Sequence, residues 1–337
     1  MRIVARLDAD ATVGMGHAVR LRAMIDALDP GAAVSIVGQG PGLASVFPDA
    51  AIHAPGDSPA GRIAALVAEA QADLVLCDHP RMDDALRRDL PRHLEVPAVI
   101  VDDFGGDHRA NGIVNGTVLP AHHSYPDLEQ GALTLCGGQY ALLRPAFGAA
   151  ERAPEPERSL GIVIGSGARA AAWAEFLTSD DIDLAALGTV GIVVGQAYAA
   201  PNTLAARCAD RGIAFYQGLS AARLAAFLAS SEVALVTGGM IVYESLAAGT
   251  PTIVFPVLPD MEAEADWFAG QGCTINLGPE GGFETPALER AIGRLLKNPE
   301  ARDALAHAGR SVIDGQGAVR VGTAIRERFA LRGSEQE

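Results

Sequence analysis

The chain is almost without lysine. Of its 26 basic residues only Lys297 is a lysine, which leaves nothing to support Schiff-base chemistry or a Walker-type phosphate loop, both of which need that side chain. Cysteine is scarce as well. Cys77, Cys136, Cys208 and Cys273 stand singly beside apolar runs, with no CxxC or Cys–His spacing that would point to zinc, so they read as small core residues in a reducing compartment. Positive charge is in deficit: the formal net charge is −15, which argues against the basic face that nucleic acid requires. No apolar run reaches the roughly 20 residues of a membrane span. The opening "MRIVARLDAD" enters a charged strand with no signal-like apolar region, and cytoplasm is the default expectation.

What is present is a globular composition, 49% hydrophobic and 20% charged, in a chain of 337 residues, long enough for two domains of roughly 150 residues each. Short β-branched runs alternate with Ala/Leu-rich helical stretches, the pattern of parallel sheets built from βα units. Strands are expected at 2–7, 33–38, 73–78 and 98–103, with weaker ones near 113–117 and 133–136, and helices at 17–28, 60–71 and 82–90. "FGAAERAPEPERS" is charged, Pro-bearing and without apolar periodicity, and reads as a linker. The strand pattern then restarts at 160–165, 189–195, 213–218, 232–237, 252–257 and 273–278. The expected organisation is a first domain over 1–148, a linker over 149–159, a second domain over 160–330 and a frayed tail over 331–337. Two doubly wound α/β domains of this kind are expected to bind a ligand in a cleft at the carboxyl ends of their strands.

Three strand-to-helix turns carry paired glycines: Gly14 and Gly16, Gly165 and Gly167, and Gly238 and Gly239. Glycine allows close backbone approach, and the following helix start offers unpaired N–H groups to an anion. "GIVIGSGARAAAWAEF" matches a dinucleotide-binding pattern only weakly, because the next strand ends in Gly195 and Gln196 instead of an acidic residue for a ribose hydroxyl. "TGGMIVYESLAAGTPTIVFP" is more informative. It resembles the nucleotide-binding segment of two-domain B-type glycosyltransferases, including the enzyme that adds N-acetylglucosamine to the lipid-linked peptidoglycan precursor. By that resemblance Glu244 contacts ribose, with Gly238, Gly239 and the Met240 amide near the diphosphate.

The stretch "RLDADATVGMGHAVRLRAMIDAL" places His17 behind two glycines where a strand hands over to a helix. The positive end of the helix dipole there disfavours imidazolium, so a neutral imidazole could take a proton from water. Asp8, Asp10 and Asp103, at strand carboxyl ends, are all candidates to orient His17 or to bind sugar hydroxyls and amides. With Arg6, Asp8, Ala9, Gly14, Gly16, His17 and Arg20, this stretch resembles the first motif of the nucleotide-sugar hydrolases of pseudaminic acid biosynthesis. "VDDFGGDH", "GGQYALLRPAF" and "GGMIVYE" follow in that family's order, so the resemblance runs from about residue 2 to about residue 280 of the chain.

The resemblance implies a B-type glycosyltransferase (GT-B) fold used for hydrolysis. Water attacks the anomeric carbon of UDP-2,4-diacetamido-2,4,6-trideoxy-β-L-altrose, with His17 as general base and no metal or other cofactor. It further implies substrate contacts from Arg6, Asp8, Gly14, Gly16, Arg20, Asp103 and Tyr140, and nucleotide contacts from Gly238, Gly239, Met240, Glu244 and Asp260. Pathway enzymes and flagellin are the macromolecular partners it brings in. Several positions depart from the family. Met240 and Ile241 replace hydroxyl residues after the glycine pair, Asp78–His79–Pro80 stands where an aromatic is usual, "GSGARA" replaces a Gly-Gly-x-Asp turn, and Asp260 and Met261 fall where Asn-Gln is usual. A transferase on the same scaffold, moving a nonulosonic acid or related sugar to a protein or glycan, and a non-catalytic nucleotide-sugar binding protein are the competing readings.

Overall fold

The computed structural model describes residues 1–10, 13–80, 82, 85–165, 168–196, 198–278 and 285–331. They fall into two compact units, Met1–Arg144 with Gln316–Glu337, and Pro145–Gly315.

The first unit is built on a parallel sheet of seven strands. These are β1 (Arg2–Arg6), β2 (Ala33–Val37), β3 (Ala51–His53), β4 (Leu74–Asp78), β5 (Ala98–Val101), β6 (Gly112–Asn115) and β7 (Leu133–Cys136). Their order is β3-β2-β1-β4-β5-β6-β7. Both faces of the sheet are covered, which is why its strands read as continuous apolar runs. Successive residues serve opposite layers. Ile3, Ala5 and Leu7 join the cluster that includes Leu21, Met24 and Leu28 of helix Gly16–Leu28, while Val4 packs with Ile63 and Leu66 of helix Pro59–Ala70. β3, three residues long and largely exposed, was too short and too polar in its surroundings to read as a strand. Where one helix was expected over 82–90, a π-helical turn Ala85–Asp89 runs into helix Leu90–His93; residues 81, 83 and 84 lie outside the described part.

The second unit repeats the architecture with β8 (Arg158–Ile164), β9 (Val190–Val194), β10 (Ala214–Gln217), β11 (Ser231–Thr237), β12 (Thr252–Phe255) and β13 (Thr274–Asn276), in the order β10-β9-β8-β11-β12-β13. Trp173 and Phe255, with ring centroids 3.8 Å apart, anchor a core completed by Ile162, Ile192, Leu235 and Leu288.

Two boundaries differ from the sequence expectation. The stretch 149–159 belongs to the second unit, where the Ala153 N–H donates to the Ala229 carbonyl (3.0 Å) and Arg152 donates to the Gly249 carbonyl (3.3 Å). A segment without apolar periodicity can be fixed by its polar groups. The last helix, Gly317–Phe329, lies in the first unit, not at the end of the second. Its Ala318, Val321 and Ile325 enter the core of the first sheet, and Arg326 donates to the last carbonyls of helix Gly16–Leu28, those of Ala27 (2.6 Å) and Leu28 (2.8 Å). Periodicity announces that a helix has an apolar face, not which sheet that face covers. No described helix is long and apolar enough to cross a membrane.

Candidate functional site

In the first sheet the chain winds outward in opposite directions from β1 and β4, which lie side by side. Loops leaving the carboxyl ends of such a pair diverge and open a crevice, the usual ligand position in a parallel α/β sheet. The β1 loop leads to His17 and the β4 strand ends at Asp78, so the two meet there.

Asp10 builds the loop. Its side chain accepts the Val13 N–H (2.9 Å) and its carbonyl accepts the Gly14 N–H (2.8 Å). Gly14, at φ +80°, takes a conformation that L side chains rarely adopt. Helix Gly16–Leu28 then begins without a side-chain cap, which puts His17 in its first turn and Arg20 one turn later on the same face.

His17 Nδ1 lies 2.6 Å from Asp78 Oδ1. Arg20 grips the same carboxylate with both prongs, Nε to Oδ2 (2.7 Å) and Nη2 to Oδ1 (2.7 Å), and reaches Asp103 Oδ1 through Nη1 (2.7 Å). Asp78 is fully buried. Burial pushes its carboxyl up, but the charge and hydrogen bonds of Arg20 and the contact with His17 outweigh that and hold it below the usual carboxylate range. Burial alone would pull the Arg20 guanidinium down; Asp103 and Asp78 drive it well above its ordinary value.

These charges decide the imidazole tautomer. An ionised carboxylate only accepts, so the short contact requires the proton on Nδ1. The approach of Arg20 Nη2 to Nδ1 at 3.1 Å is then the spacing of two donors that share Asp78 Oδ1. In the neutral ring this leaves the lone pair on Nε2, which no described group bonds; the His17 side chain keeps 16% of its surface exposed. The result is an imidazole held in one tautomer by a carboxylate that is itself held by an arginine.

A second buried cluster lies beneath. Arg6 forks onto Asp8 (2.6 and 3.2 Å), His79 Nε2 bonds Asp8 Oδ2 (2.9 Å) and the Gln39 N–H donates to Asp8 Oδ1 (2.9 Å). Burial raises the Asp8 carboxyl; His79, Arg6 and Gln39 together bring it well below the usual range. Three candidates for orienting His17 are thereby sorted. Asp8 is engaged by Arg6 and His79, Asp10 shapes the loop, and Asp103 acts on Arg20. The partner of His17 is Asp78, which sequence reasoning missed. An acidic residue ending the apolar strand "DLVLCD" was the available signal, but only strand order brings β4 beside β1. Tyr140 packs against the hydrophobic core of the first unit, and no described hydrogen bond ties it to His17.

In the second unit the corresponding adjacent pair is β8 and β11, followed by Gly165 and by Gly238–Gly239. Ser166 and Gly167 lie outside the described residues. Gly239 has φ +83° and precedes helix Met240–Ala247, which starts without a side-chain cap. A Cβ on Gly238 would fall 2.5 Å from Met261 Cβ, so Met261 lies directly on the glycine turn. Glu244 is 8% exposed, and the Asp260 side chain is outside the described part. Among the described residues no group of three or more His, Cys, Asp and Glu is placed to hold a metal ion.

No protein-family model matches the chain. Over 106 residues it is 27% identical to the spore coat polysaccharide biosynthesis protein SpsG of Bacillus subtilis strain 168; the match spans 32% of this chain and 31% of that protein. Solved structures align along nearly all of it. The MurG of Acinetobacter baumannii superposes with a TM-score of 0.63 at 16% identity, covering 97% of this chain and 99% of that one. A UDP-GlcNAc 2-epimerase from Neisseria meningitidis, solved with UDP-GlcNAc, gives 0.61 at 12%, covering 98% and 100%. The spinosyn rhamnosyltransferase SpnG gives 0.61 at 17%, covering 97% and 99%. The two doubly wound parallel-sheet domains therefore have the GT-B fold that the sequence pattern led us to expect.

Proposed function

We propose that the chain is a nucleotide-sugar hydrolase that releases UDP from a 2,4-diacetamido-2,4,6-trideoxy hexose, in a route to a nonulosonic acid of the pseudaminic type. The observation that carries this reading is the Nδ1 contact of His17 with the buried Asp78 carboxylate, which leaves Nε2 as a lone pair at the carboxyl edge of the first sheet. The similarity to SpsG, a polysaccharide biosynthesis protein, and the fold shared with UDP-GlcNAc 2-epimerases support an activated sugar as substrate.

In the reaction His17 Nε2 takes a proton from water as the water oxygen forms a bond to the anomeric carbon. The bond from that carbon to the diphosphate oxygen breaks, and UDP leaves with the electron pair. General-base assistance of this kind contributes on the order of 10²–10⁴-fold. Asp78 and Arg20 are positioning residues that keep the ring in its tautomer; Arg20, expected as a sugar contact, has its guanidinium engaged by Asp78 and Asp103 instead. Arg6, Asp8, Gly14, Gly16, Asp103 and Tyr140 are assigned to the sugar domain. UDP falls to Gly238, Gly239, the Met240 amide, Glu244 and Asp260, where the helix start offers unpaired N–H groups to the leaving diphosphate.

A transferase reading uses the same base on an acceptor hydroxyl, and the fold shared with SpnG favours keeping it in view. One experiment separates the two. The protein is incubated with the UDP-diacetamido sugar and no acceptor, and UDP release is followed by NMR for wild type and His17→Asn. Release by wild type and not by the variant is expected. No release by wild type removes the hydrolase reading, and equal release by both removes the base assignment.

A further inference from the structure

Large exposed apolar side chains are few among the described residues, and two of them directly neighbour, along the chain, residues near or in the hydrogen-bond network of His17. Met15 is 39% exposed and Phe104 61% exposed. Met15 is the N-cap of the helix that carries His17 and Arg20. Phe104 follows Asp103, which accepts the hydrogen bond from Arg20 Nη1.

Neither is a loose surface residue. The Met15 side chain is seated over Gly42, where an added Cβ would lie 2.3 Å from its sulfur, so the glycine is what makes room for it. Phe104 is fixed by a turn built on Asp102, whose Oδ2 accepts the backbone N–H groups of Phe104 (3.0 Å) and Gly105 (2.6 Å) and the Tyr125 hydroxyl (2.8 Å). Gly105 has φ +77°, and a Cβ there would meet the His122 carbonyl oxygen at 2.8 Å. The Phe104 ring stands 5.9 Å from the His122 ring. A half-buried carboxylate and a closely packed glycine thus hold an aromatic ring out into solvent. That exposure forgoes much of the stabilisation that burying a Phe side chain contributes, a gain that a ligand covering the ring would recover.

We infer that Phe104, with Met15 at the start of the His17 helix, determines specificity by packing on the apolar substituents of the bound sugar, and so selects a deoxy amino sugar over a fully hydroxylated one. This rests on the nucleotide-sugar reading above. A 2,4-diacetamido-6-deoxy sugar carries a ring methyl and two acetyl methyls. Each offers apolar surface to an aromatic face or a thioether, where a 6-hydroxyl would lose its water without gaining a partner.

The test measures KM and kcat for UDP release from the UDP-diacetamido sugar, together with inhibition constants for UDP and UDP-N-acetylglucosamine. The proteins are wild type, Phe104→Ala, Phe104→Leu and Met15→Gln. Phe104→Ala is expected to raise KM about tenfold, the scale of one apolar group in a specificity pocket, with a smaller change in kcat. The inhibition constants should stay within about twofold, since neither ligand presents the full set of apolar groups, and Phe104→Leu and Met15→Gln should fall between. The melting temperatures of the Phe104 variants should not change, because that side chain is largely exposed. An unchanged KM, or a parallel rise for UDP itself, overturns the inference and leaves the hydrolase reading standing. No UDP release by wild type overturns both.

Discussion

Asp78 presents a single oxygen, Oδ1, to both His17 (2.6 Å) and Arg20 (2.7 Å). Arg20 fixes the charge on the carboxylate, and the carboxylate fixes the proton on Nδ1. Replacing Asp78 by Asn should therefore damage the base more than the fold. An amide can turn its NH2 toward Nδ1, which then becomes the acceptor and moves the ring proton to Nε2, the atom the proposed mechanism needs free. UDP release by Asp78→Asn should fall by roughly 10²–10⁴-fold, with KM changed much less. The double variant with His17→Asn should be no slower than the worse single variant, because the two act as a unit. A fully additive loss would show that Asp78 acts on something other than His17.

The same carboxylates set the response to acid. Asp78, Asp8 and Asp102 all have folded-state carboxyl groups below the ordinary range: in each, burial raises the value and hydrogen bonds or neighbouring cations more than reverse it. A carboxyl whose folded value is depressed adds stability above its unfolded value of about 3.9, and that stability is lost as pH falls through the folded value. Urea midpoints should accordingly be flat near neutrality and fall below about pH 4. Asp78→Asn should lower the midpoint at pH 7 and reduce the slope of the acid limb. An unchanged acid limb in that variant would mean the buried ion pair contributes nothing to the dependence.

Most of the fold was legible because a parallel sheet covered on both faces writes each strand as a short apolar run. "RIVARL", "DLVLCD" and "EVALVT" needed no neighbours to be read. The His17 loop was legible for a different reason: Gly14 and Gly16 ahead of a helix start constrain local geometry, and local geometry lies in contiguous residues. Asp78 was not legible as the partner of His17, since 61 residues separate them and only the order β1 beside β4 makes them neighbours. His79 shows the same limit, since its partner Asp8 is 71 residues away. The last helix was misplaced because Ala318, Val321 and Ile325 specify a buried face without naming the sheet beneath it.

Met261 and Gly238 make a steric pair at the second-unit turn. Because a Cβ on Gly238 would come within 2.5 Å of Met261 Cβ and 2.9 Å of its sulfur, Gly238→Ala should displace Met261 and cost about 1–3 kcal/mol, the usual range for overpacking. Shortening the neighbour as Met261→Ala should recover much of that loss, a coupling that urea denaturation of both single variants and the double variant would measure. If UDP binds at this turn, calorimetry should show weaker UDP binding by Gly238→Ala. Additive effects of the two substitutions would mean that the contact carries no energy.

Two glycines in helices should respond to alanine with opposite sign. At Gly317, which opens the last helix, a Cβ would lie 2.2 Å from the Ala141 carbonyl oxygen and 2.7 Å from its nitrogen. Backbone cannot swing aside as a flexible side chain can, so Gly317→Ala should push the helix off the first sheet and cost about 1–3 kcal/mol. At Gly293, inside helix Thr285–Leu296, a Cβ meets nothing within 4 Å. There alanine only removes the conformational freedom that glycine adds to the unfolded chain, and Gly293→Ala should stabilise by about 0.5–1 kcal/mol. Thermal melts of the two variants beside wild type read both signs. Because the helix carrying Gly317 also covers helix Gly16–Leu28 through Arg326, Gly317→Ala should slow UDP release as well, while Gly293→Ala should not. A Gly317→Ala protein as stable as wild type would show that the close approach to Ala141 does not hold the helix in place.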